Sequence, residues 1–256
     1  MEYTMALVLA QEEIAPDIYS LTLRVPFAKE ARPGQFISLY SGNGATLLPR
    51  PISICQIDAG QSSLRLVYRI AGKGTREFSA LKAGNEIRVL GPLGNGFPVE
   101  EYAEKRTLLI GGGIGVPPML SCADALGKPV FAVGYRSKEL AYLLPEISAF
   151  PEVHIATEDG SLGTQGNVLD AIRADGVKAE AVFACGPAPM LRAVKAWAGE
   201  QGIPCFISLE ERMACGVGAC LGCVTKTTGV DGHSHVKNAR ICKDGPVFAA
   251  EEVDLT

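Results

Sequence analysis

Histidine is scarce in this 256-residue chain, at positions 154, 233 and 235 only. Tryptophan occurs once, at 197, and neither sign of charge predominates: 24 Lys and Arg stand against 28 Asp and Glu, a formal net charge of −4. His154, His233 and His235 fall on a buried-type strand and in a Gly- and Ser-containing turn, with no nucleophile and carboxylate beside them, so a histidine-based triad is not expected. The charge balance gives no reason to expect nucleic acid or an anionic membrane as partner. Long apolar runs are missing too. The opening MEYTMALVLAQEE lacks a basic leading segment and a cleavage site, and Glu12 and Glu13 end its apolar middle early, so neither a signal peptide nor a transmembrane helix is expected. There is no internal repeat and no low-complexity tract. The length allows two domains with cores of their own.

What the chain does have is cysteine in one place. Of eight cysteines, Cys215, Cys220 and Cys223 stand in a C-x4-C-x2-C spacing within MACGVGACLGCV, and Cys242 follows further along the same glycine-rich tail. Four thiolates can hold a [2Fe–2S] cluster, and this compact spacing is that of the plant-type ferredoxin loop. Gly216, Gly218 and Gly222 suit a backbone that wraps closely with φ > 0, turning N–H groups toward the sulfurs. Structural zinc and plain buried thiols are the alternatives, although zinc ribbons favour two separated short pairs. Cysteines grouped at ligand spacing without an export signal point to a reducing cytoplasm rather than a disulfide framework. Cys55, Cys122 and Cys205 read as core thiols.

The first hundred residues alternate with period two, at Leu21, Leu23 and Val25 and again at Leu64, Leu66, Tyr68 and Ile70, with turn signals at Pro33-Gly34 and Gly42-Asn43-Gly44. Antiparallel strands in a barrel or sandwich are expected. Two segments here carry chemistry. Arg50-Pro51-Ile52-Ser53 offers a guanidinium able to clamp a phosphate and a hydroxyl for a ring nitrogen, though it also reads as an edge strand beginning after proline. In Tyr68-Arg69-Ile70-Ala71-Gly72-Lys73-Gly74-Thr75 a strand passes through a glycine loop into a short helical pattern that Thr75 can cap; a simple strand–turn–helix joint is the alternative. The stretch 91–97 reads as a tight connection without chemistry of its own.

From about residue 107 strands and helices alternate, which implies a parallel sheet with right-handed crossovers. An apolar run at 107–110 leads into Gly111-Gly112-Gly113-Ile114-Gly115 and a helix opened by Pro117-Pro118, the context in which a dinucleotide phosphate is held. Strands are expected at 130–134, 153–156 and 181–184, with 203–207 closing the sheet. Helices are expected at 138–147, at 168–173, and where Met190, Val194 and Trp197 share one face; Trp197 reads as core. Ligands of such sheets lie at the carboxyl ends of strands, where 111–115, 157–163 and 185–187 fall. Glu210-Glu211-Arg212 reads as a solvated or locally paired charge run.

The order of these motifs carries more than any one of them. Arg-Pro-x-Ser, the Gly-Lys-Gly-Thr joint, GGGIGVPP and Cys-Gly-Pro together resemble the ferredoxin–NADP reductase superfamily over about residues 4–208. ERMACGVGACLGC with ICKDGPVF resembles the electron transfer subunits of NAD-linked (class 1B) dihydroorotate dehydrogenases. That resemblance implies an antiparallel β-barrel FAD-binding domain at 1–99, an α/β parallel-sheet NAD-binding domain at 100–208 and a small [2Fe–2S] subdomain at 209–256. It implies FAD bound by Arg50, Pro51, Ile52, Ser53, Val67, Tyr68, Arg69, Gly74 and Thr75, and cluster ligation by Cys215, Cys220, Cys223 and Cys242. Gly111, Gly112, Gly113 and Gly115 are then expected to face NAD, with Asp159, Cys185 and Gly186 nearby and no catalytic residue in this chain. The basic pair in Tyr135-Arg136-Ser137-Lys138 leaves NADP open, while the resemblance favours NAD. The implied partner is an FMN-containing catalytic subunit that oxidises dihydroorotate to orotate, two of each chain assembling in the cytoplasm. A subunit of a sulfhydrogenase or transhydrogenase is the nearest alternative, followed by a self-contained NADH:acceptor reductase and a zinc-binding interaction module.

Overall fold

A computed structural model describes residues 1–42, 46–230 and 235–256. The turn signal at Asn43-Gly44 and His233 lie outside the described residues.

The period-two alternation folds as expected. Six strands, β1 (Glu2–Ala15), β2 (Ile18–Arg24), β3 (Phe36–Tyr40), β4 (Arg50–Asp58), β5 (Ser63–Arg69) and β6 (Glu86–Leu93), close an antiparallel barrel in the order β1-β2-β5-β4-β3-β6. Its core is filled by the inward set, including Leu21, Leu23, Ile37, Leu39, Leu64, Leu66 and Tyr68. Closure leaves no free edge in this sheet. β1 pairs with both β2 and β6, and irregularities between Val8 and Ala10 and between Glu13 and Ala15 bend it around the barrel. After β5 the chain makes the short helix α1 (Lys73–Phe78). Thr75 lies inside that helix rather than before it. Its Oγ1 reaches back to accept from the N–H groups of Ala71 (2.9 Å) and Gly72 (3.2 Å), so the cap comes from the third helical position, as the second half of a capping box does.

The second unit is built on β7 (Arg106–Gly112), α2 (Val116–Ala123), β8 (Lys128–Tyr135), α3 (Leu144–Ile147), β9 (Val153–Thr157), β10 (Thr164–Gln165), α4 (Val168–Ala174), β11 (Ala181–Cys185), α5 (Ala188–Gln201) and β12 (Cys205–Ser208). After the hairpin of β13 (Val224–Lys226) and β14 (Asn238–Arg240), β15 (Val247–Ala249) returns to this sheet. The order is β10-β9-β8-β7-β11-β12-β15. All neighbours are parallel except β15, which runs antiparallel to β12. The segment expected to close the sheet, 203–207, is therefore internal, and a piece of the C-terminal tail forms the edge. The tail stays off the 203–207 strand in a sequence reading because three residues are too few to show a period.

The helix expected at 138–147 is also not continuous. A single 3-10 turn at Lys138–Leu140 is followed by Leu143 at φ 58 and by the short α3, with Pro145 in its first turn. A proline there can start a helix but would clash with the carbonyl four residues back inside a longer one. The break lets Tyr142 pack on Tyr135, whose hydroxyl donates to the Tyr142 carbonyl (2.7 Å). Trp197 and Val194 are buried on the inner face of α5 as expected, with Leu191 beside them, while Met190 is only partly buried at the edge of that face. His154 is held between Asp175 (2.6 Å) and Glu152 (3.2 Å) at the amino end of β9, remote from the strand carboxyl ends. Among the described residues no helix is long and apolar enough to cross a membrane.

The turn after β7 is packed to its limit. A Cβ on Gly115 would lie 2.2 Å from the Cys185 carbonyl oxygen, whereas Gly113, at φ +53, has open space around it. Gly115→Ala should therefore cost about 3 kcal/mol by overpacking against main chain. Gly113→Ala should cost only the left-handed strain of about 1 kcal/mol. Denaturant midpoints of the two variants beside the parent protein check this ordering.

Candidate functional site

Where the barrel meets the sheet, a cleft of 910 Å³ is lined from both sides. The start of β4 supplies Arg50, Pro51, Ile52 and Ser53; the end of β5 supplies Val67, Tyr68 and Arg69; Gly72 comes from the joint that follows and Thr75 from the first turn of α1. Arg50 is held by its own strand entry, its guanidinium donating to the Leu48 and Pro49 carbonyls. It lies directly over Gly74, where a Cβ would come within 2.7 Å of its Nε. Gly74 thus contributes by having no side chain. Tyr68 borders the cleft, but its ring is locked in the barrel core, stacked near Tyr19 with its hydroxyl donating to Gln11 (3.1 Å).

The opposite wall includes Ile114, from the loop after β7, and residues 208–213. Glu210, Glu211 and Arg212 thus line the cleft rather than a simple solvated face. Arg212 still bonds locally, its N–H donating to Glu211 (2.8 Å). Glu210 is open to the cleft yet crowded by protein. That desolvation raises its carboxyl above the usual range against the opposing pull of Arg69. Burial likewise raises the Cys185 thiol, helped by the charge of Glu210 and opposed by a hydrogen bond with Ser208. Sequence reasoning places Cys185 near the ligand but reads Glu210, Glu211 and Arg212 only as a charge run, although their place just past the carboxyl end of β12 is a usable signal.

The glycine loop is used mostly for packing. A Cβ on Gly111 would strike Val116, and one on Gly112 or Gly186 would strike Met190. The Tyr142 hydroxyl donates to the Gly113 carbonyl (2.7 Å). Asp159 lies further along the same row of strand ends, accepting from the Ser161 N–H (3.0 Å) and hydroxyl (2.6 Å), bonds that hold its carboxyl below the usual range. Ser161 in turn accepts from the Lys138 N–H (2.8 Å), tying this loop to the one carrying Arg136 and Lys138.

Main-chain N–H groups link the four tail cysteines in one network. Cys215 Sγ accepts from the N–H groups of Val217 (3.4 Å), Ala219 (3.3 Å) and Cys220 (3.4 Å). Cys242 Sγ accepts from Gly218 (3.1 Å), and Cys223 Sγ from Cys242 (3.4 Å). Burial disfavours the Cys215 thiolate, but the Val217 and Cys220 N–H groups, the Cys220 side chain and the Ala219 N–H outweigh it, bringing that thiol down to about 6. Cys242 is pushed up to about 12 by burial and by the neighbouring Cys223 thiol. Gly216 and Gly218 have φ of +69 and +84, as expected of the wrap. Gly222 does not; the left-handed residue there is Leu221, while Gly222 clears Cys220 Sγ, which a Cβ would approach to 3.4 Å.

Among the described residues no three His, Cys, Asp or Glu side chains converge as round a single ion. The contacts instead pair Cys215 with Cys220 and Cys223 with Cys242. Four thiolates at this compact spacing are the donor set of a [2Fe–2S] centre. One pair is open, Cys220 being exposed, while Cys223 and Cys242 are 2% exposed. Arg240 clamps the arrangement, donating to the Gly218 carbonyl (3.2 Å) and to both oxygens of Asp244 (2.9 and 3.0 Å). Asn95, in a stretch expected to carry no chemistry, donates through Nδ2 to the carbonyls of Lys243 (3.2 Å) and Asp244 (2.9 Å).

Residues 210–254 match the family described as the iron–sulfur cluster binding domain of dihydroorotate dehydrogenase B. Over 253 residues the chain is 45% identical to the dihydroorotate dehydrogenase B (NAD(+)) electron transfer subunit of Listeria monocytogenes serotype 4a, covering 97% of each chain. It is 43% identical over 260 residues to the protein of that name from Enterococcus faecalis V583, covering 98% of each. Among solved structures it is similar to the NADH-dependent reduced ferredoxin–NADP oxidoreductase studied for flavin-based electron bifurcation, with a TM-score of 0.85, 29% identity and coverage of 98% of this chain and 90% of that one. The fold is also that of a ferredoxin NADP+ reductase from Neisseria gonorrhoeae solved with FAD and NADP, with a TM-score of 0.66, 14% identity and coverage of 83% and 94%.

The Arg240 clamp leads to an expectation that involves no bound group. Arg240→Ala should accelerate amide hydrogen exchange at Gly218, Lys243, Asp244 and Gly245 at least tenfold, since bonds to a charged group contribute about 1.5–3 kcal/mol. Exchange in the barrel strands should stay unchanged.

Proposed function

This chain belongs to the family of electron transfer subunits of NAD-linked dihydroorotate dehydrogenase B, and we propose that its cleft holds FAD, its four tail cysteines a [2Fe–2S] cluster and its strand-end loops the nicotinamide dinucleotide. As such a subunit it works with a catalytic partner that oxidises dihydroorotate to orotate, and passes the electrons on to NAD+. The observation that carries the placement is the cleft itself, which brings Arg50 and Ser53 of the barrel opposite Ile114 of the sheet, with Arg50 resting on Gly74. A subunit of a sulfhydrogenase or transhydrogenase is disfavoured by the family to which the chain belongs.

FAD, when bound, supplies the exchange between a hydride and single electrons that neither nicotinamide nor a [2Fe–2S] cluster provides alone. The residues do the rest. Arg50, resting on Gly74, presents a planar cation suited to a pyrophosphate. Pro51 and Ile52 direct the strand, and Ser53 offers a hydroxyl to the ring. Val67, Tyr68 and Arg69 form the facing edge, and the Thr75 hydroxyl fixes the loop at 71–74. Gly113, the one glycine of its loop left open, borders the dinucleotide with Gly111, Gly112 and Gly115 beneath it and Cys185-Gly186 and Asp159 alongside. Cys215, Cys220, Cys223 and Cys242 supply the four thiolates, and the N–H groups around Cys215 offset their charge.

In this reading residues 1–99 form the FAD domain, 100–208 the NAD domain and 209–256 the cluster subdomain, with β15 as the tail's anchor in the sheet. The partner carries FMN, because a second flavin can split a two-electron oxidation into single electrons for the cluster. Leu221, 64% exposed beside the open cysteine pair, belongs to its docking face. Two copies of each chain assemble, as the family resemblance implies, and the reducing cytoplasm suits thiolates grouped at ligand spacing.

An anaerobic absorbance spectrum before and after NADH tests the assignment. Flavin and iron–sulfur bands that bleach with NADH are expected. A colourless, zinc-containing protein made with iron and flavin available would overturn it. Gly74→Ala should displace Arg50 and weaken FAD binding roughly thirtyfold, about 2 kcal/mol for a lost charge-assisted contact, measured by titrating FAD into the flavin-free protein.

A further inference from the structure

The outer face of β3 runs from the cleft to the cysteine loop. Ile37 and Leu39 point into the barrel core, so Phe36, Ser38 and Tyr40 point outward. Phe36 lines the cleft. Tyr40 lies close enough to Cys215 to feel its charge, after burial and the neighbouring Tyr3. Ser38, between them, is 0% exposed, and its hydroxyl has no hydrogen-bond partner among the described residues. It faces Gly216, where a Cβ would fall 3.2 Å from Ser38 Oγ and 3.4 Å from Leu93 Cδ1. Phe36, on the same face of β3, and Leu93 lie in one buried apolar cluster.

A buried hydroxyl without a partner costs free energy that alanine would avoid. This one faces a loop in which three main-chain N–H groups already converge on Cys215 Sγ. Donors gathered round one sulfur mark this loop as built for a negatively charged acceptor, and the Ser38 hydroxyl faces it. We propose that Ser38 is a positioning residue of the iron–sulfur centre, its hydroxyl donating a hydrogen bond to a sulfur held by the 215–223 loop and stabilising the reduced cluster. This rests on the cluster reading above. Hydrogen bonds to the sulfurs are among the factors that set the potential of such centres, because reduction adds negative charge that a donor stabilises. Gly216 is then required twice, for its left-handed φ of +69 and for the room that it leaves the hydroxyl.

The test uses the full-length chain with its cofactors, titrated anaerobically and followed by electron paramagnetic resonance. Ser38→Ala should lower the cluster midpoint so that the reduced fraction at fixed potential falls about tenfold, or about 59 mV for one electron. The FAD midpoint in the same samples should not move. Ser38→Cys, close in size and a weaker donor, should fall between the two. In D2O the set of deuteron couplings to the reduced cluster, which includes those of the main-chain N–H groups, should lose one member in Ser38→Ala. An unchanged midpoint with a higher melting temperature in Ser38→Ala would overturn the proposal, marking the hydroxyl as merely unpaired. So would loss of the cluster from both variants with FAD retained, which would mark a packing role. A parent protein with FAD but no cluster signal would instead overturn the cluster reading on which the proposal stands.

Discussion

The rest of the molecule depends on how one turn, at 241–246, is held. It carries Cys242 and is gripped from three sides. The Asn95 N–H donates to the Gly245 carbonyl (2.7 Å), joining it to the end of the barrel. The Leu209 N–H donates to the Pro246 carbonyl (2.9 Å), joining it to the strand end beside the cleft. The Ile241 N–H donates to the Cys223 carbonyl (2.9 Å), joining it to the cysteine loop. Close approach is part of the grip: a Cβ on Gly94 would lie 2.5 Å from Pro246 Cδ, and one on Gly245 would lie 2.3 Å from the Phe248 ring. Beyond the turn, β15 enters the sheet with Ile207 opposite Phe248. Displacing any one partner would therefore disturb the barrel, the sheet and the cysteine centre together.

The same economy governs the loop after β7. Its glycines look like a cradle for phosphate, but Gly111, Gly112 and Gly115 are first of all places where α2, Met190 and the Cys185–Gly186 main chain press against the strand ends. Close packing brings the β7 and β11 ends within reach of the cleft. Gly113 alone of these four glycines keeps open space around it. Packing thus uses three of the four glycines and leaves Gly113 open, which is why a motif search that treats them alike reads the loop less sharply than the structure does.

How far the sequence spoke depended on how many residues shared each signal. The barrel was legible because its alternation runs through whole strands, and the helix face of Val194 and Trp197 because it repeats over several turns. The cysteine loop was legible because thiolate spacing is a strong local constraint. β15 was not, since three residues carry no period, and its pairing with β12 depends on partners about forty positions away. The broken helix at 138–147 looked continuous because the apolar pattern persists across Pro145, whose effect on the backbone outweighs it. Glu210 and Asn95 looked like a charge run and a tight connection because their roles depend on neighbours remote in sequence, Arg69 and Cys185 for the one and the 243–245 carbonyls for the other.

β3 shows why such a molecule is built on a closed barrel. Its five residues span roughly 13 Å at the usual rise, with Phe36 at the cleft and Tyr40 near Cys215. Hydrogen bonds to β4 on one side and β6 on the other hold its register. A slip of one residue would turn Ile37 and Leu39 outward and bury Ser38 in the barrel core. The hydrophobic alternation that closes the barrel therefore also sets the separation between the cleft and the cysteine centre. A flexible linker could join the two sites, but it could not fix the distance between them. A strand bonded along both edges can, and the apolar side chains on its inner face supply the energy that keeps it in place.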